Sequence, residues 1–497
     1  MAGDERMHVI LFPFPAQGHF AAFLSLAARL HRARPTAAIT LVSTPRNVAA
    51  LRAGSAAAAA PFLRFSALPF APEEHGLPAG AESLDALLGQ DFLPLFEATE
   101  SPSLRAAFDG FLTGACADGD ATQVSTAVVV VVADPFLAWT AAAAHRRGAR
   151  HAFFVSCGAF GSAVYHSLWN HLPHRGAPGG AAALRLPDHP EVAVHRSQLP
   201  QHLLDADGTD RWSAYHRRLI SDGYETDALV VNTTEELEPA GLRMLRRTMG
   251  DVPVLPIGPL VRLDRTDVDG DDDGDGIMRW LDGQAARSVL YISFGSQNSL
   301  RADQMMELAA ALELAGRPFV WAIRLPLGWS GDGGADGWLP EGFEARARAG
   351  GRGLLVRGWA PQVSILAHAS TGAFLSHCGW NSVLESVAHG VPVVGWPLQA
   401  DQFFNARMLE EEWGACVEVA RGNAEGSPPV GRAALAEAVE TVMADGGKGA
   451  EMRRRVREIQ GLTRGAQGED GGSSVLALEE FFASMLRPRG TPTSTQR

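Results

Sequence analysis

The chain alternates short, unbroken apolar runs with segments of helical period, twice over, and an acidic glycine-rich stretch separates the two series. In the first half the runs are HVILFPF (8–14), AITLVS (38–43), VVVVVA (128–133) and AFFV (152–155). After the first of them, Phe20, Phe23, Leu24, Ala27 and Leu30 recur at helical spacing. Arg29, Arg32 and Arg34 gather at the end of that segment, where cations suit the helix dipole. A strand with one wet face alternates apolar and polar residues, and five consecutive valines cannot alternate. Such runs, interleaved with helices, predict parallel sheets covered on both faces. The rhythm restarts with SVLYISFG (288–295), FVWAI (319–323), LLVRG (354–358), GAFLS (372–376) and VPVVG (391–395). At 497 residues the chain is too long for one ordinary core. Two doubly wound α/β domains facing each other are expected, with ligands at the carboxyl ends of the strands.

The pattern breaks where VPVLPIGPLV gives way to LDRTDVDGDDDGDG (263–276). The expected organisation is an N-terminal domain over 1–251, a flexible linker over 252–279 and a C-terminal domain over 280–470. A terminal helix over 471–486, packing back on the N-terminal domain, and a disordered tail over 487–497 follow. Within the linker, DGDDDG (269–274) mimics the opening of a calcium loop. Its twelfth position is Trp280, where a bidentate Glu belongs. The run 127–144 could pass for a membrane span, but Asp134 and Pro135 lie near its middle. A central Asp costs about 2.5–3.5 kcal/mol on insertion scales, so a buried strand leading into a helix is expected.

The remaining composition narrows the function by exclusion. Formal charge is -13, with no basic block longer than Arg453 to Arg455, which is unsuited to a nucleic-acid backbone. Four cysteines, irregularly spaced, make neither a disulfide framework nor a zinc pattern and suit a reducing compartment. The start, MAGDERMHVILFPFP, is acidic and too briefly apolar for a signal peptide. A cytoplasmic protein is expected, and the glycosylation acceptor Asn-Thr-Thr at 232–234 is expected to be idle.

One segment concentrates the chemistry: GAFLSHCGWNSVLESVAHGVPVVGWPLQADQ (372–402). Asn381 and Ser382 are N-cap residue types, and Ser-x-x-Glu at 382–385 fits a capping box. Val383/Val387 and Leu384/Ala388 repeat at helical spacing, and Gly390 is a natural stop. A well-capped helix therefore explains Ser382, Glu385 and Gly390. It does not explain His377, Gly379 and Trp380 in the turn. A helix start presents free N–H groups, and a His donor with a close-approach Gly would complete a metal-free cradle for a diphosphate.

The longer stretch from Trp359 to Gln402 resembles the plant secondary-product glycosyltransferase box over all 44 positions without a gap. FPFPAQGHF near the start, VVNTTEELE (230–238), WLDGQAARSVLYISFGSQ (280–297) and GGSS (471–474) are similar to landmarks of the same UDP-glycosyltransferase family. The resemblance runs to about residue 486. It implies a GT-B fold of two Rossmann-like domains and a UDP-sugar co-substrate, with no metal or other cofactor. Carried over by position, Trp359 stacks on the uracil, backbone at Ala360 reads its edge, and Gln362 lies near the ribose. His377, Gly379, Asn381 and Ser382 meet the diphosphate, with Gly295, Ser296 and Gly18 as further donor contacts. Glu385 holds the ribose hydroxyls, which competes with its place in a capping box. Trp380, Asp401 and Gln402 meet the sugar, and Gln402 favours glucose over galactose. Ser156, in FFVSCG, reaches the transferred sugar.

The resemblance also implies a catalytic pair. His19, in PAQGHF after the first strand, takes the acceptor's proton, and Asp134, after the valine strand, orients it and stabilises the imidazolium. Loops 76–95, 136–160 and 165–205 are expected to build the acceptor pocket. Phe14, Phe20, Phe136 and Phe160, together with Trp139 and Trp169, would suit a flat hydrophobic molecule, although at least half are expected to be core. The function expected is inverting transfer of glucose to a phenolic, flavonoid or terpenoid hydroxyl, by a monomer. Rival classes lack their signatures: no G-x-S-x-G elbow surrounds Ser156, and no G-x-G-x-x-G follows the first strand. His166, His171 and His174 have no Cys or carboxylate at zinc spacing. The remaining alternative is a sugar-nucleotide-binding protein without catalysis, which the presence of both His19 and Asp134 disfavours.

Overall fold

The computed structural model describes residues 7–54, 60–87, 91–117, 127–176, 183–261, 272–329, 337–422 and 427–487. The valine strand shows how its layers arise. Val129, Val131 and Ala133 face one apolar core, while Val130 and Val132 face another on the opposite side of the sheet. Both faces are thus buried, as an unbroken apolar run requires.

That sheet comprises β1 (Met7–Phe12), β2 (Ala38–Ser43), β3 (Leu63–Ala67), β4 (Val128–Ala133) and β5 (Arg150–Val155). An antiparallel pair, β6 (Ala183–Arg185) and β7 (Ala193–His195), stands apart, and β8 (Ala228–Val231) and β9 (Val254–Pro256) complete the sheet. Its order is β3-β2-β1-β4-β5-β8-β9, parallel throughout. A second parallel sheet runs β12-β11-β10-β13-β14-β15. Its strands are β10 (Val289–Ser293), β11 (Phe319–Ala322), β12 (Gly353–Val356), β13 (Thr371–Ser376), β14 (Val393–Gly395) and β15 (Cys416–Glu418).

Both sheets reverse direction of winding beside their first strand. Chain leaving β1 turns toward β2 and β3, and chain leaving β4 turns toward β5, so a crevice opens between the two connections. The same holds for β10 and β13. Open α/β sheets bind their ligands at such reversals. Register sets the details: Phe12 pairs with Ala133, and Ser293 with Ser376. The residues that follow these pairs meet across each crevice.

The two halves share an apolar core that includes Trp169 and Leu242 from the first and Trp380, Phe404 and Trp413 from the second. Cross-domain hydrogen bonds accompany it. Trp380 Nε1 donates to the Asn232 carbonyl at 2.8 Å, and Trp413 Nε1 to the Leu237 carbonyl at 3.2 Å. Asn232 itself is fully buried and its Oδ1 accepts from Leu260 N, so the folded chain offers no glycosylation acceptor there. After the second sheet the chain returns, and the helix Ser473–Leu486 lays Ala477, Leu478, Phe481, Phe482 and Met485 into the core on one face of the first sheet, against β9 and β4.

Residues 127–144 form β4, a short turn and the helix Thr140–Arg146, as Asp134 and Pro135 led us to expect. Among the described residues no helix is long and apolar enough to cross a membrane. Of the calcium-like hexapeptide, 269–271 lie outside the described residues and 272–274 open the helix Asp272–Asp282. The tail beyond 487 also lies outside them.

Candidate active site

His19 is the third residue of the helix Gln17–Ala33, which begins directly behind β1. Asp134 is the first residue after β4, its N–H donating to the Phe12 carbonyl at 2.9 Å. Topology alone therefore brings together two residues 115 positions apart. His19 Nδ1 lies 2.5 Å from Asp134 Oδ2, and Asp134 Oδ1 accepts from Phe136 N at 3.1 Å. The rings of Phe14 and Phe136 centre 5.6 and 5.8 Å from the imidazole. With Nδ1–H given to a buried carboxylate, Nε2 is left to accept a proton. Burial pulls the imidazole down, but the charge and hydrogen bond of Asp134, with Asp401 and Asp85, raise it above its ordinary value.

Asp85 is a group that no motif singled out. It sits in the short turn Leu84–Leu87, near Gln17 N–H on one side and the Ser296 hydroxyl, from the opposite domain, on the other. Burial pushes its carboxyl up against those two donors, and its Oδ1 is enclosed without a partner.

Across the cleft the helix Trp380–Ala388 starts from Gly379, and no side chain caps it. This corrects the capping-box expectation. Ser382 lies inside the first turn, and its hydroxyl accepts from Gln362 Nε2 at 3.0 Å. Glu385 Oε2 accepts from the same Nε2 at 2.6 Å, and Tyr291 OH donates to Gln362 Oε1 at 3.2 Å. The uncapped first turn keeps the donor character that suits an anion.

Two glycines open the space beside it. Gly295 has a φ of +77°, and a Cβ there would lie 2.6 Å from His377 Nε2; a Cβ on Gly379 would lie 2.5 Å from the same atom. Either would displace the ring. Burial drives His377 down to about 4, with the Ser293 carbonyl opposing, although Nδ1 makes no hydrogen bond of ordinary geometry. The ring is neutral near pH 7 and offers a donor without a positive charge. Trp359 is 74% exposed, the largest such fraction among the described large apolar side chains, and its indole face is open for stacking. Ala360 and Gln362 follow it directly, Ala360 packing partly buried on the β10–β13 core.

An apolar cavity of about 280 Å³ joins the two sides, with His19, Asp134, Ser156 and Asp401 among its lining. Asp401 is pushed up by burial, against hydrogen bonds from Asn405 and Cys157. Of the expected aromatic acceptor contacts, Phe136 and Trp169 line this cavity. Phe14, Phe20, Phe160 and Trp139 do not. They are core side chains: Phe14 is wholly buried behind His19, Phe20 is 3% exposed, Phe160 packs at the domain interface and Trp139 donates to the Thr99 carbonyl. The described residues of segment 76–95 contribute nothing to the lining. Helices Arg211–Gly223 and Pro239–Met249, outside all three expected loops, supply His216, Leu219, Ile220, Leu245 and Met249.

One more side chain differs from expectation, and another keeps only one end free. The Trp380 indole is buried and its N–H is spent on Asn232, so only its backbone remains for a ligand. Gln402 Oε1 accepts from Leu398 N and Gln399 N, both at 3.0 Å, which leaves Nε2 for a sugar hydroxyl. Asn381 Nδ2 donates to the Gly18 carbonyl at 2.8 Å and ties the helix start to the opposite domain.

Two such crevices opening on one cleft are the architecture of a GT-B transferase. The chain belongs to the plant UDP-glycosyltransferase family. Residues 268–453 match the family model for UDP-glucoronosyl and UDP-glucosyl transferase. UDP-glycosyltransferase 92A1 of Arabidopsis thaliana is 38% identical over 97% of each chain. Crocetin glucosyltransferase 3 of Crocus sativus is 41% identical over 82% of this chain and 85% of that one. Among solved structures, Glycyrrhiza uralensis UGT73P12, complexed with glycyrrhetinic acid 3-O-monoglucuronide, superposes with a TM-score of 0.81 at 28% identity, covering 96% of this chain and 95% of that one. A transferase from Siraitia grosvenorii in complex with UDP gives 0.75 at 27%, covering 97% and 100%. The protein is thus an enzyme that transfers a sugar from a UDP-sugar co-substrate to a small acceptor.

Proposed function

We propose that the sugar is glucose, that the acceptor is a small hydrophobic molecule bearing a hydroxyl, and that transfer inverts the anomeric centre to give a β-glucoside. The observation carrying this reading is the His19–Asp134 contact of 2.5 Å at an apolar cavity that Asp401 also lines. The acceptor O–H gives its proton to His19 Nε2 as its oxygen attacks the anomeric carbon. The bond from that carbon to the diphosphate breaks, and its electron pair leaves with UDP. Asp134 stabilises the imidazolium formed. Charge gathering on the diphosphate meets His377, Ser382 and the N–H groups of the helix start. Trp359 stacks on the uracil, Glu385 and Gln362 face the ribose, and Asp401 with Gln402 Nε2 takes the sugar hydroxyls.

The donor cradle supplies its charge stabilisation from N–H and hydroxyl groups, so the reading is of a metal-independent enzyme; that it is monomeric and cytoplasmic is part of the same proposal. Activity unaffected by EDTA is the expected outcome. UDP release from UDP-glucose, measured over a phenolic panel, tests the whole. Tight UDP binding with no release on any acceptor would point instead to a nucleotide-binding protein without catalysis.

A further inference from the structure

Among the described residues, four that are not glycine have a positive φ, and two of these flank groups that the proposed transfer uses. Cys378, at +61°, directly follows His377, and Ala400, at +53°, directly precedes Asp401. Such a backbone costs an L-residue about 1–3 kcal/mol and persists only where its surroundings hold it. Cys378 is fully buried, its N–H donates to Ser376 Oγ at 3.1 Å, and a Cβ on Gly395 would lie 3.3 Å from its Sγ. These contacts hold the first turn. A further side chain joins it to the second.

That side chain is Asn405, which is 2% exposed and lies one helical turn after Asp401 in the helix Gln402–Arg407. Its Nδ2 donates to the Cys378 carbonyl at 3.0 Å and to Asp401 Oδ2 at 2.9 Å. A carboxamide nitrogen carries two hydrogens, so the two bonds use both, and two acceptors fix which way the amide points. Asp401 stands at the N-cap of the same helix, yet its carboxylate caps nothing and lines the cavity beside His19 instead. Burial favours the neutral acid there, and the bond from Asn405 favours the charged form. From the other domain Gly161 closes over the pair. A Cβ on it would lie 3.4 Å from Asp401 Cβ and 3.5 Å from Asn405 Oδ1.

The diphosphate and the sugar of a donor are joined by one bond, so the groups that receive them must keep a fixed separation. We propose that Asn405 is a positioning residue for the reaction, its one amide nitrogen locking the turn behind His377 to the Asp401 carboxylate so that the sugar is recognised in register with the diphosphate. The inference rests on the roles proposed above for His377 and Asp401. It adds a residue that touches neither substrate and acts through both of them.

A double-mutant cycle on the full chain tests it, with UDP and UDP-glucose affinities measured by calorimetry. Asn405→Leu keeps the shape of the side chain and removes both donors. UDP should bind about threefold weaker and UDP-glucose about thirtyfold weaker, so that the preference for the sugar-bearing ligand falls about tenfold. Asn405→Ser has a single O–H for two acceptors and should lower the same preference about threefold; it carries the test alone if Asn405→Leu does not fold. Asp401→Ala should itself lower the preference about tenfold, and adding Asn405→Leu or Asn405→Ser to it should change the preference less than twofold further. A merely structural role would weaken both ligands in equal proportion, and that result overturns the proposal. So does a loss of preference that is undiminished in the Asp401→Ala background. If Asp401→Ala leaves the preference as it was, Asp401 is not the sugar's ligand, and that part of the transferase reading falls together with the inference built on it.

Discussion

In the proposed mechanism the working groups at the β1–β4 crevice are side chains, His19 and Asp134, braced by Phe14 and Phe136. At the β10–β13 crevice the proposed donor surface is largely main chain, an uncapped helix start beside two glycines, with His377 between them. The two crevices occupy equivalent places in equivalent sheets. On that reading their materials differ because their ligands do. A diphosphate is the same in every donor, and backbone N–H groups suffice to hold it. An acceptor hydroxyl must lose a proton, which needs a tuned base and a dry wall around it. Changes on the first side should therefore be read in turnover, and changes on the second in donor affinity.

His19→Ala tests that division most severely. A loss of about 10³-fold or more in kcat is expected, with UDP affinity by calorimetry within about threefold of the parent. Wild-type turnover in this variant would break the comparison at its first term. Asp134→Asn should cost about 10²-fold in kcat, and it carries a second signature in pH. The base works only unprotonated, so activity falls as pH drops through the raised His19 value. Removing the Asp134 charge lowers that value, so the acid limb of kcat/KM should move to lower pH. A limb that stays put would detach Asp134 from His19.

On the other side, Gly379→Ala should push the His377 ring aside and raise the donor KM by about 10-fold or more, with acceptor KM unaltered. Trp359→Ala should raise the donor KM by about 10-fold; an unchanged value would seat the uracil elsewhere. The smallest effect belongs to Asp85, which faces both crevices. Asp85→Asn should change kcat only about threefold and shift the acid limb slightly downward, because its charge helps hold the His19 value up.

The same contrast explains which parts were legible beforehand. The valines of β4 declared a strand buried on both faces, and the turn residues His377 and Gly379 stood out because a capped helix left them unexplained. Recognition by a helix start needs residues at fixed local spacing, so most of it is written into one contiguous stretch, with Gly295 the exception. The cavity beside His19 is not: Phe153, His216, Tyr224 and Met249 come from separate segments that only packing on β5 and β8 unites. Asp85 escaped for the same reason. Trp380 was misplaced because a turn tryptophan beside a ligand loop and one bolting two domains together look alike in one dimension; its bond to Asn232 spans 148 residues. Ser382 and Glu385 fit a capping box by spacing, but Gln362 competes for both side chains, and it approaches only once the second domain has folded.

The terminal helix has a consequence for how the two domains depend on each other. Its buried Leu478, Phe481, Phe482 and Met485 each contribute about 1.5–3 kcal/mol to a core of the first sheet. That core is therefore completed by chain lying beyond the second sheet, and a variant cut before Ser473 would carry a first domain with uncovered apolar surface, prone to aggregate.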